Sequence, residues 1–274
     1  MQLFDSHCHI QSVGLFEGEK STREMWSKAT SLTRDAVLQH AREAGVTRLL
    51  AVGCELEDSK LAATFAREHD SCWASVGIHP HEASRYAGAG PARKEFAALA
   101  VAPKVVAIGE CGLDYFYEHS VKEDQIKILR FQIELALGHN LPLVFHVREA
   151  FDDFWPIFES YHTTEHPIRG VLHSFTDSAA NLERALQHGL YIGVNGIATF
   201  TKKPEQQELY RTLPIGRLLL ETDAPFLTPT PYRGTICEPY HIRVIAEFLA
   251  QLRDEPLAVL AEATTDNARQ LFSV

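Results

Sequence analysis

Histidines and carboxylates recur at the ends of short apolar runs in this sequence. In Asp5-Ser6-His7-Cys8-His9 the alternate residues of an extended segment point to one side, so Asp5, His7 and His9 share a face. Two imidazoles on one face suit a divalent metal. Glu110 closes the run VVAIGE, His146 closes PLVFH, His173 closes GVLH, and Asp223 follows the leucines of LLLETD. A carboxylate buried at such a place needs a partner, because an isolated buried charge is very costly. Taken singly, each has a plainer reading: a hydrogen-bonded core histidine, a chance His-x-His, or a helix N-cap for Asp223. Taken together, they suffice for two cations. One would sit on His7, His9 and Asp223, the other on His146 and His173, with Glu110 between them. Such a pair lowers the pKa of water and clamps both the attacking and leaving oxygens of a phosphodiester. Asp223 can also accept the proton of the attacking water as general base.

Eight apolar runs carry these ends. Strands are expected at Leu3–His7, Arg48–Gly53, Trp73–Gly77, Val105–Glu110, Leu143–His146, Gly170–His173, Tyr191–Asn195 and Leu218–Asp223. Helical periodicity lies between them, near Thr33–Ala44, Asp58–His69, Pro91–Ala100, Glu123–His139, Phe151–Tyr161, Ala179–His188 and Glu205–Leu213. It returns at Pro239–Arg253 and Leu257–Leu271. Strict alternation of strand and helix implies parallel strands joined by helical crossovers, and eight is the number that closes a barrel. An open doubly wound sheet is the alternative, but no glycine-rich dinucleotide fingerprint follows the first strand. The expected fold is therefore α/β, a (β/α)8 TIM barrel of the metal-dependent hydrolase type, with residues 1–274 forming one domain. In such a barrel the C-terminal strand ends form the active face.

The 274 residues are 45% hydrophobic, enough for a large core, and carry a formal net charge of -10. A chain that held long nucleic acid by electrostatics alone would be basic. Any polyanionic substrate should therefore be gripped over a few nucleotides, with metal cations supplying positive charge. The five cysteines form no C-x-x-C pair, which points to reduced thiols and a cytoplasmic location. The start MQLFDSHCHI has neither the basic residues nor the apolar run of a signal peptide, and no stretch reaches the roughly 20 apolar residues of a membrane span. No membrane partner is expected, and a monomer is compatible with the sequence.

The segments DSHCH, GIHPH, VVAIGECGLDYF, LPLVFHVREAFDD, GVLHSF, YIGVNGIATF and LLLETDAPFLTPTPYRG, followed by Glu238-Pro239, occur in this order. Together they resemble the TatD-type metal-dependent deoxyribonuclease family, over Phe4 to about Phe272. The resemblance implies a barrel hydrolase that uses two divalent ions (Zn, Mn or Mg) to hydrolyse DNA, often from a 3′ end. It gives His7, His9, Glu110, His146, His173 and Asp223 the role of metal ligands. His79 in GIHPH resembles a residue near the substrate phosphate, and it joins Asp223 and Glu110 as a candidate catalytic group. Three places depart from the family pattern: Asp177 stands where glycine is common, Cys237 where asparagine is, and the segment from Ile10 to Leu32 is longer than usual. None carries a proposed ligand, so the departures bear on substrate preference.

On the substrate side, Arg148 and Arg233 follow strand ends and lie within family motifs, and both are expected to hold phosphates. Lys202 and Lys203 have the same option, or are ordinary solvated charge. Tyr115, Phe116, Phe175, Phe200 and Tyr232 fall in the same loops, where exposed rings stack bases and buried ones pack the loop. The remaining histidines, such as His40, His69 and His188, fall on helical stretches or loops and receive no role. Four imidazoles favour Zn or Mn over Mg, which prefers oxygen shells. The expected activity is two-metal cleavage of phosphodiester bonds in DNA or a short nucleotide substrate, as a 3′–5′ exodeoxyribonuclease on single-stranded ends. The alternatives are a barrel hydrolase for an ester or amide, such as an aminoacyl-tRNA deacylase, and a non-catalytic binding protein. Many ester and amide relatives bridge their metals with a carboxylated lysine where Glu110 stands here, and a binding protein would be expected to have lost ligands.

Overall fold

Runs such as Leu3–Cys8 and Leu218–Leu220 are too short for a stable helix, and every residue in them is buried, so they settle as strands. In the computed structural model, residues 1–15 and 17–274 are described. From the N-terminus, β1 (Leu3–Cys8) is followed by α1 (Lys20–Trp26), α2 (Arg34–Glu43) and β2 (Val46–Val52). Next come α3 (Leu56–Glu68), β3 (Cys72–Val76), α4 (Ala83–Tyr86), α5 (Gly90–Leu99), β4 (Val105–Asp114) and α6 (Lys122–His139). These lead to β5 (Leu143–Arg148), α7 (Phe151–Tyr161) and β6 (Gly170–Leu172). The rest holds α8 (Ala179–Gln187), β7 (Tyr191–Val194), α9 (Pro204–Thr212), β8 (Leu218–Leu220), α10 (Ile242–Arg253) and α11 (Leu257–Phe272). The strands stand in chain order in one eight-stranded sheet, which is the order of a (β/α)8 TIM barrel.

By backbone contacts the chain divides into one unit of Met1–Ala51 with Ser174–Val274, and a second of Val52–His173. In the first, β1 pairs in parallel with β2, and β7 with β8. Beyond the end of β8 the chain meets β1 again. Cys8 bridges Ala224, the Asp223 amide donates to the His7 carbonyl at 2.9 Å, and the His9 amide donates to the Ala224 carbonyl at 2.7 Å. Helices α2 and α8 start at side-chain caps, Thr33 and Ser178.

In the second unit β3, β4, β5 and β6 pair in parallel in that order. Helix α7 carries Phe151, Phe154, Trp155 and Phe158 at the spacing of one helical face, all buried. The Phe154 ring meets Phe145 of β5 with centroids 5.1 Å apart. Strand β4 continues past Glu110 to Asp114, pairing with β5 from Cys111↔Phe145 to Asp114↔Arg148. Gly112 makes this possible. It has φ +151 and lies opposite His146, whose carbonyl oxygen a Cβ at position 112 would strike. The obstacle is backbone and cannot swing away. Gly112→Ala should therefore lower the melting temperature by about 5 °C or more, as a steric and backbone-strain effect. An unchanged melting curve would show that the two strands can separate there at no cost.

Candidate metal centre

The backbone ladder between β1 and the chain after β8 fixes where three side chains meet. His7 ends one step before the close of β1 and His9 one step beyond it, so both imidazoles lie on the same side. Their rings are 5.1 Å apart and nearly perpendicular. Asp223 takes a left-handed backbone, φ 60, and its amide is held by the His7 carbonyl. Its Oδ1 then lies 3.4 Å from His9 Nε2 and 3.6 Å from His7 Nε2. These are poor hydrogen-bond distances and good ligand spacings. Atoms about 2.1 Å from one ion lie about 3.0 Å apart at a right angle and about 3.4 Å apart at a tetrahedral one. His7, His9 and Asp223 are thus a donor set that fits a divalent cation.

Asp5 shares the face of His7 and His9 but turns to other partners. Thr222 donates to it through its amide (2.9 Å) and its hydroxyl (2.6 Å). Burial raises the Asp5 pKa to about 8 against the pull of those bonds. The segment after His9 also contributes. Glu19 caps α1 by accepting from the Ser21 and Thr22 amides. That places Trp26, 3% exposed, so that its indole N–H donates to the His9 carbonyl at 2.9 Å.

The second unit gathers Glu110, His146 and His79 as another possible ion-holding group. Glu110 Oε1 lies 3.0 Å from His146 Nδ1, 3.5 Å from His79 Nε2 and 3.7 Å from His173 Nε2. The imidazoles are not equivalent. His146 Nε2 faces Asp114 Oδ2 at 2.9 Å, and His81 Nε2 faces the same oxygen at 3.1 Å. Burial by itself would raise the Asp114 pKa, but hydrogen bonds from His146 and His81 outweigh it and hold the carboxyl well below its ordinary range. Both ring nitrogens of His146 face carboxylates, which only accept; a cation held by Glu110 would take the place of the Nδ1 proton, while Asp114 keeps the proton on Nε2. Burial opposes charge on His146, yet its bonds to Asp114 and Glu110 prevail and raise its pKa. The space between Nδ1 and Glu110 therefore favours positive charge.

His79 has the opposite polarity. Its Nδ1 accepts the His81 amide at 3.2 Å, which leaves the ring proton on Nε2. Burial, opposed by Glu110, lowers its pKa well below the ordinary value and keeps it neutral. His79 Nε2–H is thus a donor aimed into the site, suited to an anionic oxygen and unsuited to a cation.

Arg148 is exposed and lies over the rings of Phe116 (4.2 Å) and Tyr117 (4.8 Å). In the other unit Arg233 lies 4.0 Å over Phe200 and donates to the Thr228 carbonyl. Lys202 and Lys203 are exposed. Of the loop aromatics, Phe175 is buried and packs the loop, Tyr115 is tied to Asp153, and Phe116 and Tyr232 are exposed. Sequence reasoning did not single out Asp114, His81, Tyr117 or Trp26. The first two carry a legible signal: Glu110 and Asp114 have the even spacing of one strand face, and His79-x-His81 repeats the pattern of His7-x-His9.

The family model of the TatD related DNases matches residues 4–273. A protein of Escherichia coli K12 named "3'-5' ssDNA/RNA exonuclease TatD" is 36% identical over 246 residues, covering 88% of this chain and 93% of the relative. A Bacillus subtilis protein named "Uncharacterized metal-dependent hydrolase YabD" is 33% identical over 273 residues, covering 99% of both. The crystal structure of YJJV, a TatD homolog from E. coli K12, superposes with a TM-score of 0.85 at 28% identity over 99% of this chain and 98% of that one.

Proposed function

We propose that this chain, which belongs to the TatD related DNase family, is a 3′–5′ exonuclease that releases mononucleotides from single-stranded DNA ends. The observation that carries the reading is the pair of donor sets, His7–His9–Asp223 in one unit and Glu110–His146 in the other, where His173 Nε2 also lies 3.7 Å from Glu110 Oε1. We assign a divalent cation to each, Zn or Mn for preference given the imidazoles. Bound there, cations would polarise phosphoryl oxygens and make water more acidic.

The chain's own groups do the rest. Asp223, 14% exposed at its side chain, is open to water and accepts the proton of the attacking molecule at a carboxylate oxygen. His79 donates its Nε2 proton to a phosphate oxygen without giving it up, since burial disfavours the charged ring. Asp114 keeps His146 in the tautomer that presents Nδ1. Arg148 and Arg233 hold phosphates on the strand. The E. coli relative's name includes RNA, so RNA ends are a second substrate to assay. Ester and amide hydrolysis has no comparable support.

Purified protein should carry between about one and two equivalents of divalent ion, and chelation should abolish mononucleotide release. Full activity after verified metal removal would sink the metal assignment. On a circular single strand no internal fragments should form, and an early ladder would refute the end-directed part alone.

A further inference from the structure

Phe116 and Tyr117 are neighbouring rings, 48% and 50% exposed, with centroids 4.7 Å apart and planes nearly perpendicular, at 89°. Isolated exposed apolar side chains need no explanation, but this pair is anchored. Asp114 Oδ1 accepts from both the Phe116 and the Tyr117 amides at 3.0 Å, while Oδ2 faces His146 and His81. One buried carboxylate thus fixes the backbone of the ring pair and the imidazole of the Glu110–His146 group together. Arg148 lies against both rings and supplies a cation at the same place.

We infer that Phe116, Tyr117 and Arg148 form a corner-shaped platform for the terminal base of a single-stranded nucleic acid, one ring stacking on the base and the other meeting its edge, beside the Glu110–His146 group. The inference rests on the nuclease reading above and adds to it a binding subsite. Charge is part of the argument. A chain of net charge -10 offers a polyanion no net attraction, so affinity must come from local contacts. Stacking gives attraction that is indifferent to base identity, because every base has a π-face, and Arg148 adds a positive charge for the adjoining phosphate. A paired terminal base is already stacked on its neighbour, so the platform favours an unpaired end.

The test uses a single-stranded oligodeoxynucleotide with phosphorothioate linkages and 2-aminopurine at its 3′ end, and a matched strand with an abasic 3′ residue. With metal-loaded wild-type protein, the fluorescence should be quenched on binding, and the abasic strand should bind about tenfold to a hundredfold more weakly. The double variant Phe116→Ala/Tyr117→Ala, checked for unchanged metal content, should lose the quenching and bind both strands equally weakly. Tyr117→Trp should restore quenching when placed in the Phe116→Ala background. If the double variant still discriminates against the abasic strand, or if wild type cleaves DNA without base-dependent quenching, the platform is refuted and the nuclease reading stands. If wild type neither binds nor cleaves single strands, both fall.

Discussion

Asp223→Asn is expected to lower kcat on a single-stranded oligonucleotide by roughly a thousandfold or more, while nucleotide affinity falls only modestly. The variant should fold. Asp223 has a left-handed backbone held by the His7 carbonyl, and asparagine tolerates that conformation as well as aspartate does. The amide oxygen remains a weak ligand beside His7 and His9, so cation binding persists in part. What disappears is the base, because an amide accepts no proton near neutral pH. The wild-type rate should also fall on the acid side, where protons compete with cations for the donor sets. The decisive comparison is kcat against affinity. If affinity collapses and kcat at saturation stays near wild type, Asp223 binds substrate or metal and the base lies elsewhere.

Glu110→Gln should cost at least about a hundredfold in kcat/KM, together with metal from its own donor set. Glu110 Oε1 is the atom that His146, His79 and His173 all approach. Replacing the carboxylate by an amide keeps the volume and removes the charge that a cation would share. It also removes the negative charge facing His146, so the His146 pKa should fall in the metal-free protein, and a ring-proton NMR titration can follow it. Near-normal turnover and metal content in the folded variant would show that Glu110 is structural.

The strand cores were legible because burial on both faces leaves continuous apolar runs such as LLAV and PLVFH, and a polar residue at each end marks the limit. The same rule misplaced some limits. It stopped β4 at Glu110, whereas Gly112 lets the strand continue beside β5 to Asp114. It ran β8 to Asp223, where the left-handed turn has already ended the strand. Helix α1 left no readable sign: its seven residues are too few for a periodicity, and its cap is Glu19 rather than Ser, Thr, Asp or Asn. Side-chain chemistry at strand ends can be read from types and spacing. The tautomers of His146 and His79 depend on Asp114 and the His81 amide, contacts fixed only by folding.

Asp114 holds positions 116 and 117 by their amides and touches neither side chain through those bonds. The anchor is therefore indifferent to which residues stand there, proline excepted for want of an N–H. On the platform reading, mutational drift at the two positions retunes which strands are preferred without loosening the His146 group, whereas a change at 114 disturbs both at once. On the same reading, chemistry and substrate range can evolve at different speeds, because one oxygen of Asp114 holds imidazoles while the other reads only the backbone of 116 and 117.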